Sequence, residues 1–149
     1  PSLGLLTLNA LVAADEVLVP IQCEYYALEG VTQLMRTIEA VRHAMNKELR
    51  LGSILMTMFD GRTRLSTQVD EEVRTHFARE TMSTRIPRSV RVSEAPSYSR
   101  SVLTYEPTSA GAVAYREATA EFAKRHAGDE HSTNTSGVKH PDVSDTKKG

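Results

Sequence analysis

The chain is short of several things at once. It has one cysteine, Cys23, no tryptophan, and only 5 % aromatic residues among 149. A single cysteine excludes an internal disulfide framework and fits a reducing cytoplasm. The histidines at His43, His76, His126, His131 and His140 are scattered without ligand spacing, so no metal site is assigned. No apolar run approaches the roughly 18 residues needed to span a bilayer, and no membrane partner is expected. No segment repeats. Nor does any stretch read G-x-x-x-x-G-K-[ST], the loop that cradles a nucleotide's phosphates. No catalytic residue is assigned, and this polypeptide alone is not expected to hydrolyse a nucleoside triphosphate.

What is present is the composition of an ordinary globular domain, 40 % apolar and 25 % charged, with room for one sizeable core. A formal net charge of −1 gives no global reason to bind nucleic acid. Its distribution is another matter. Between Gly61 and Arg100 stand Arg62, Arg64, Arg74, Arg79, Arg85, Arg88, Arg91 and Arg100, with no lysine, against Asp70, Glu71, Glu72, Glu80 and Glu94. A planar guanidinium suits phosphate. The same composition also describes a solvated charged face, and composition alone does not choose.

Strand and helix patterns alternate. Glu16–Ile21 is a short apolar run that reads as a buried parallel strand. Leu28, Val31, Leu34, Met35, Ile38, Val41 and Met45 recur at helical spacing, with Glu29 in the first turn where the helix dipole favours a carboxylate. Ser53–Phe59 reads as a second buried strand closed by Asp60-Gly61. A helix capped by Ser66 or Thr67 carries Val69, Val73 and Phe77. Thr84–Ile86 reads as a third strand, stopped by Pro87. Residues 88–108 read as loop, and a last helix begins near Ser109. Leu5, Leu8, Leu11 and Val12 predict a core-facing helix at the start. This order predicts an α/β layered fold with a parallel sheet. From about Ala127 to Gly149 almost nothing is apolar, and that stretch reads as a disordered polar tail.

Two segments carry a family resemblance. Val19-Pro20-Ile21-Gln22-Cys23-Glu24-Tyr25-Tyr26-Ala27-Leu28-Glu29-Gly30 and Ile86-Pro87-Arg88-Ser89-Val90-Arg91-Val92-Ser93-Glu94-Ala95-Pro96-Ser97 resemble the partitioning ATPases of the ParA/Soj type, which segregate bacterial chromosomes and plasmids. Pro1-Ser2-Leu3-Gly4-Leu5-Leu6 looks like the continuation past a magnesium-positioning Asp of that family. The resemblance therefore implies the C-terminal part of a P-loop NTPase domain over 1–126, with the tail at 127–149. It further implies ATP and magnesium in the intact protein, a homodimer, non-specific DNA and a ParB-type protein as partners, and a cytoplasmic, nucleoid-associated location. The alternative is a non-enzymatic module that binds DNA or a partner protein.

The resemblance also assigns residues. Ser2, Leu3 and Gly4 would lie in a switch that senses the γ-phosphate, although Ser2 is equally a plain helix cap. Thr57 and Met58 would border the adenine, and Pro87 would lie against the base, where a rigid ring without an N–H suits a flat purine. Arg62 and Arg91 match arginines implicated in DNA binding, and Arg100 keeps a basic residue nearby. Paired with Glu94 or Asp70 instead, either arginine would be an ordinary surface residue. No aromatic is expected beside them. Where the family reads Ser-His-Gly-Lys-Pro, this chain reads Ser97-Tyr98-Ser99-Arg100-Ser101, which removes a glycine suited to positive φ and predicts a more mobile or reshaped loop. Tyr25 and Tyr26 are expected under the following helix, or else touching nucleotide, partner subunit or switch.

Overall fold

The computed structural model describes residues 4–127. In chain order the elements are α1 (Leu5–Ala13), β1 (Glu16–Gln22), α2 (Ala27–Ala44), β2 (Arg50–Phe59), α3 (Arg64–His76), β3 (Thr81–Pro87), α4 (Val90–Glu94), a 3-10 turn (Ala95–Tyr98), α5 (Val102–Tyr105) and α6 (Ala110–Ala127). The three strands form one parallel sheet in the order β1-β2-β3. The expected polar tail beyond Ala127 lies outside the described residues, as do Ser2 and Leu3.

Burial of the alternating strand faces builds the layers. On one face Val19, Ile21, Ile54 and Met56 pack with Val31 of α2 and with Val69 and Val73 of α3. On the other, Leu55, Met82 and Ile86 pack with Ala114 and Ala118 of α6. Small residues on α6 let its backbone approach the sheet closely, and Gly111 extends this: a Cβ there would stand 2.5 Å from a Val92 methyl. α1 joins a third cluster, Leu11 with Ile38, Val41 and Leu49.

Several expectations need correction. β1 is buried on one face only, because α6 covers β2 and β3 but leaves Leu18 and Pro20 exposed. Pro20 is tolerated because β1 is an edge strand, where a missing N–H costs no ladder bond. α1 buries Leu11, but Leu5 and Leu6 are exposed. The cap of α3 is Thr63, whose hydroxyl accepts the Ser66 N–H at 3.3 Å, not Ser66 or Thr67. Residues 88–108 are not mere loop but hold α4, the 3-10 turn and α5.

Long-range side-chain bonds tie the layers together. Asn46 donates to the carbonyls of Leu11, Val12 and Ala14 at 2.8–3.2 Å, so a residue after α2 closes the end of α1. Glu121 on α6 accepts the Ser83 and Thr84 N–H groups at 2.7 and 2.8 Å, and also bonds Arg125 at 3.0 Å. Burial pushes its carboxyl upward, but these donors outweigh it and hold it down to about 2. Among the described residues no helix is long and apolar enough to cross a membrane.

Candidate functional site

The C-terminal ends of β2 and β3 carry most of the assigned residues. In parallel sheets this is the end where ligands collect. Thr57 donates its hydroxyl to the Ile21 carbonyl at 3.0 Å, and its own carbonyl accepts the Cys23 N–H at 3.1 Å. It is thus a cross-strand tie between β1 and β2 whose hydroxyl keeps only acceptor capacity. Met58 follows with φ 52°, a left-handed conformation rare for a long side chain. The β2–β3 register shifts between Met56 and Phe59, which brings Phe59 opposite Pro87. Arg88 then donates its N–H to the Phe59 carbonyl at 2.9 Å. Met58 and Pro87 are both half-buried at neighbouring strand ends. Gly4 sits elsewhere, exposed at the N-cap of α1, with its carbonyl accepting the Leu8 N–H.

The arginines that follow these strand ends are not free. Asp60 accepts three bonds from Arg62: the backbone N–H at 3.1 Å, Nε–H at 2.9 Å and an Nη–H at 2.8 Å. The Arg62 side-chain bond, first, holds the Asp60 carboxyl down to about 2, with Arg88 adding to the field. Arg62 itself is 90 % exposed. The surface-pair alternative named Asp70 or Glu94; for Arg62 the partner is Asp60, because the tight turn Asp60–Thr63 folds the side chain back (Thr63 N–H to Asp60 carbonyl, 3.0 Å). Arg91 does pair with Glu94, at 3.0 Å, within one turn of α4. Arg88, not assigned from the sequence, pairs with Glu24 at 3.1 Å, joining the segments that follow β3 and β1.

An aromatic pair does stand here, contrary to expectation. Tyr98 and Tyr105 stack at 4.9 Å, and the Tyr105 hydroxyl donates to Glu94 at 3.5 Å. They lie seven positions apart and meet only because the 3-10 turn and α5 fold back on α4. Ser99 holds this turn with φ 52°, the left-handed conformation that the missing glycine would have supplied. Its N–H bonds the Pro96 carbonyl at 3.0 Å, and the Arg100 N–H bonds the Ala95 carbonyl at 3.2 Å. The loop thus keeps a closed, hydrogen-bonded shape without its glycine. Arg100 is exposed beside it.

Tyr25 and Tyr26 do not pack beneath α2. They are 77 % and 73 % exposed and meet each other edge-to-face at 5.2 Å. Behind them lies a different kind of site. Asp70, only 5 % exposed, holds Arg74 at 3.0 Å and Arg85 at 2.6 Å. Burial pushes this carboxyl upward; the bonds from Arg85 and Arg74 outweigh it and leave it below its usual range. Cys23 is buried beside this cluster, and burial first, then the Asp70 charge, raises its thiol to about 11. A thiol so rarely ionised is inert.

Comparison with known proteins fits this arrangement. Residues 1–51 match a family described as an AAA domain. The chromosome-partitioning ATPase Soj of Thermus thermophilus is 53 % identical over 125 residues, 84 % of this chain and 50 % of that protein. The sporulation initiation inhibitor protein Soj of Bacillus subtilis is 50 % identical over 123 residues, 83 % of this chain and 49 % of that protein. Over more than four fifths of its length the chain is thus about half identical to proteins named ParA or Soj. It spans about half the length of the curated ParA/Soj relatives it matches. Among solved structures, the cobyrinic acid a,c-diamide synthase of Mycobacterium smegmatis with bound ATP analogue and magnesium superposes with a TM-score of 0.63 at 36 % identity. The match covers 90 % of this chain and 46 % of the synthase. The α/β sheet with flanking helices is thus of the P-loop NTPase kind.

Proposed function

We propose that this chain supplies the base-side wall and the DNA-facing arginines of a chromosome- or plasmid-partitioning ATPase. The observation that carries the reading is the convergence of Met58, Pro87, Arg62 and Arg88 on the adjoining ends of β2 and β3, in a chain about 50 % identical to ParA and Soj proteins. The intact protein would bind ATP with magnesium, dimerise, coat DNA without regard to sequence and respond to a ParB-type partner, in the cytoplasm at the nucleoid.

The residues present fit a purine. Pro87 offers a rigid apolar face with no competing N–H, and half-buried Met58 offers a polarisable one. Thr57, its proton committed to Ile21, keeps lone pairs that suit an exocyclic amine. The nucleotide would supply the triphosphate whose cleavage drives the cycle; no group assigned in this chain grips that triphosphate. Gly4, with Ser2 and Leu3 before it, would belong to the segment that senses the terminal phosphate.

Arg62, Arg91 and Arg100 would contact backbone phosphates. Such binding is electrostatic, so each lost contact reduces the salt slope by about 0.9. The test is fluorescence anisotropy of a labelled duplex of arbitrary sequence over a salt series. Binding that weakens in Arg62→Ala and Arg91→Ala, alike on unrelated sequences, is expected. Affinity unmoved by either substitution defeats the reading. Binding by this chain without nucleotide favours the second reading, a module that engages DNA by itself. Magnesium-dependent ATP turnover by the 149-residue chain would contradict both.

A further inference from the structure

The arginines assigned to DNA are already bound to anions. Arg62 closes a three-bonded fork on Asp60, and Arg91 bonds Glu94, which Tyr105 also contacts. The Asp60 backbone is held from other directions. Asp60 donates its N–H to Ser66 Oγ at 3.4 Å and accepts Thr63 Oγ1–H on its carbonyl at 2.9 Å. Asp60 therefore stays fixed by the turn, while the largely exposed Arg62 side chain has open solvent to swing into. Arg88 adjoins the same Asp60 charge and is itself paired with Glu24.

A guanidinium recognises carboxylate and phosphate through the same bidentate geometry. We propose that Asp60 and Glu94 stand in the free chain where backbone phosphates stand in the complex, and act as resident competitors that hold DNA affinity down. This rests on the DNA-binding reading above and deepens it. Each arginine must exchange one anion for another on binding, so its net gain is the small difference between the two. A carboxylate left beside the bound phosphate adds repulsion. The arrangement keeps binding weak and readily reversible, as non-specific coating that must be released requires. Arg100 has no carboxylate partner among the described residues, so it makes first contact without an exchange.

The experiment uses the full chain and two variants, Asp60→Asn and Glu94→Gln, each of which keeps an acceptor oxygen for the turn or for Tyr105 while removing the charge. Duplex affinity by anisotropy is measured across a salt series. An exposed ion pair of this kind is worth at most a factor of about five. Each variant is therefore expected to bind roughly two- to fivefold more tightly, with a steeper salt slope, and the double variant more tightly still. Misfolding cannot imitate a gain in affinity. Unchanged or weaker binding in both variants, with Arg62→Ala still damaging, overturns the competitor role and leaves the DNA reading standing; weaker binding in Asp60→Asn would mark Asp60 as a residue that merely orients Arg62. If neither the wild-type chain nor the double variant binds any duplex at low salt, the reading of a module that engages DNA by itself fails, and the competitor role, which needs this chain's own arginines to bind, fails with it.

Discussion

Asp70 and Asp60 lie ten positions apart, and both hold arginine at under 3.1 Å, yet they do opposite work. Asp70 is buried beneath α3 and gathers Arg74 from its own helix and Arg85 from β3. Arg74 also donates to the Met82 carbonyl at 2.9 Å, and Arg85 lies over the Phe59 ring at 5.4 Å. Each partner is thus held by a second contact, and the cluster fastens α3 to β3. Asp60, partly buried, gathers a single arginine whose own side chain is 90 % exposed and has no second contact among the described residues. The chemistry of the bond is shared; burial decides whether it is structural or exchangeable. Asp70 holds two cations that have little water to turn to, whereas Arg62 can leave Asp60 for solvent at little cost.

The largest way to test this contrast is to delete both carboxylates in turn. Asp70→Ala strands two cationic groups near the core. Both arginines retain some access to water, which places the loss at the lower end of the buried-pair range, about 3 kcal/mol by denaturant titration. Asp60→Ala should leave the unfolding midpoint where it was. Equal losses in the two variants would erase the distinction between them.

Glu121 sharpens the contrast because two of its four partners are backbone N–H groups. Its carboxyl is depressed in the folded state to about 2 from an ordinary 4.5. A depressed group contributes stability that is fully present above the unfolded value and is lost as pH falls toward the folded one. The expected loss is up to about 3 kcal/mol between roughly pH 4.5 and pH 2. The measurement is denaturant unfolding across that range, with Glu121→Gln as reference. A variant that shows the same acid sensitivity as the wild type would remove Glu121 from the account.

Much of the frame was legible because it is written in local periodicity. The apolar steps from Leu28 to Val41 lie within α2, and Ser53–Phe59 lies within β2. What escaped is held by partners far away in the chain. Glu121 meets Ser83 across 38 positions and Asn46 meets Leu11 across 35, and no spacing rule connects them. The exposure of Leu18 and Pro20 on β1 was hidden for a related reason: an apolar run looks the same whether one face or two are covered, and coverage depends on where α6 docks. At the site, the resemblance located Arg62 and Arg91 but could not show their carboxylates' grip, since Asp60–Arg62 depends on how one turn folds back. Met58 and Ser99 look unremarkable as letters; their left-handed backbone appears only in three dimensions.

Ser99 allows a smaller test, one that concerns backbone rather than charge. A non-glycine residue in this conformation costs of order 1 kcal/mol, offset in part when glycine's looser unfolded chain replaces it. Ser99→Gly should stabilise the chain by about 0.5 kcal/mol. It should not alter duplex affinity, because Arg100 keeps its place after the turn. A destabilised variant would mean that the serine makes a contribution the turn geometry does not explain.

The smallest expected effect concerns a carboxylate covered to the same degree as Asp60. Glu16, partly buried, joins Arg50 at 3.1 Å and also contacts His126 near the end of α6. Gly52 makes room for it: a Cβ there would stand 2.6 Å from the carboxyl. The His126 ring also donates to the Phe122 carbonyl at 2.7 Å, and this bond first, then Glu16, raises its pKa above the ordinary value. Arg50 opposes the shift, yet the direction is upward. A raised group stabilises below its unfolded value and stops doing so as pH rises through the folded one. The end of α6 should therefore loosen as pH rises through the raised value of His126, which amide signals from Phe122 to Ala127 would report. Glu16→Gln removes the second of the two supports but not the first. Its His126 should titrate at a lower pH than in the wild type while remaining above an unperturbed imidazole, about 6.5. An unshifted titration would show that the Phe122 carbonyl suffices, and that this carboxylate is closer in kind to Asp60 than to Asp70.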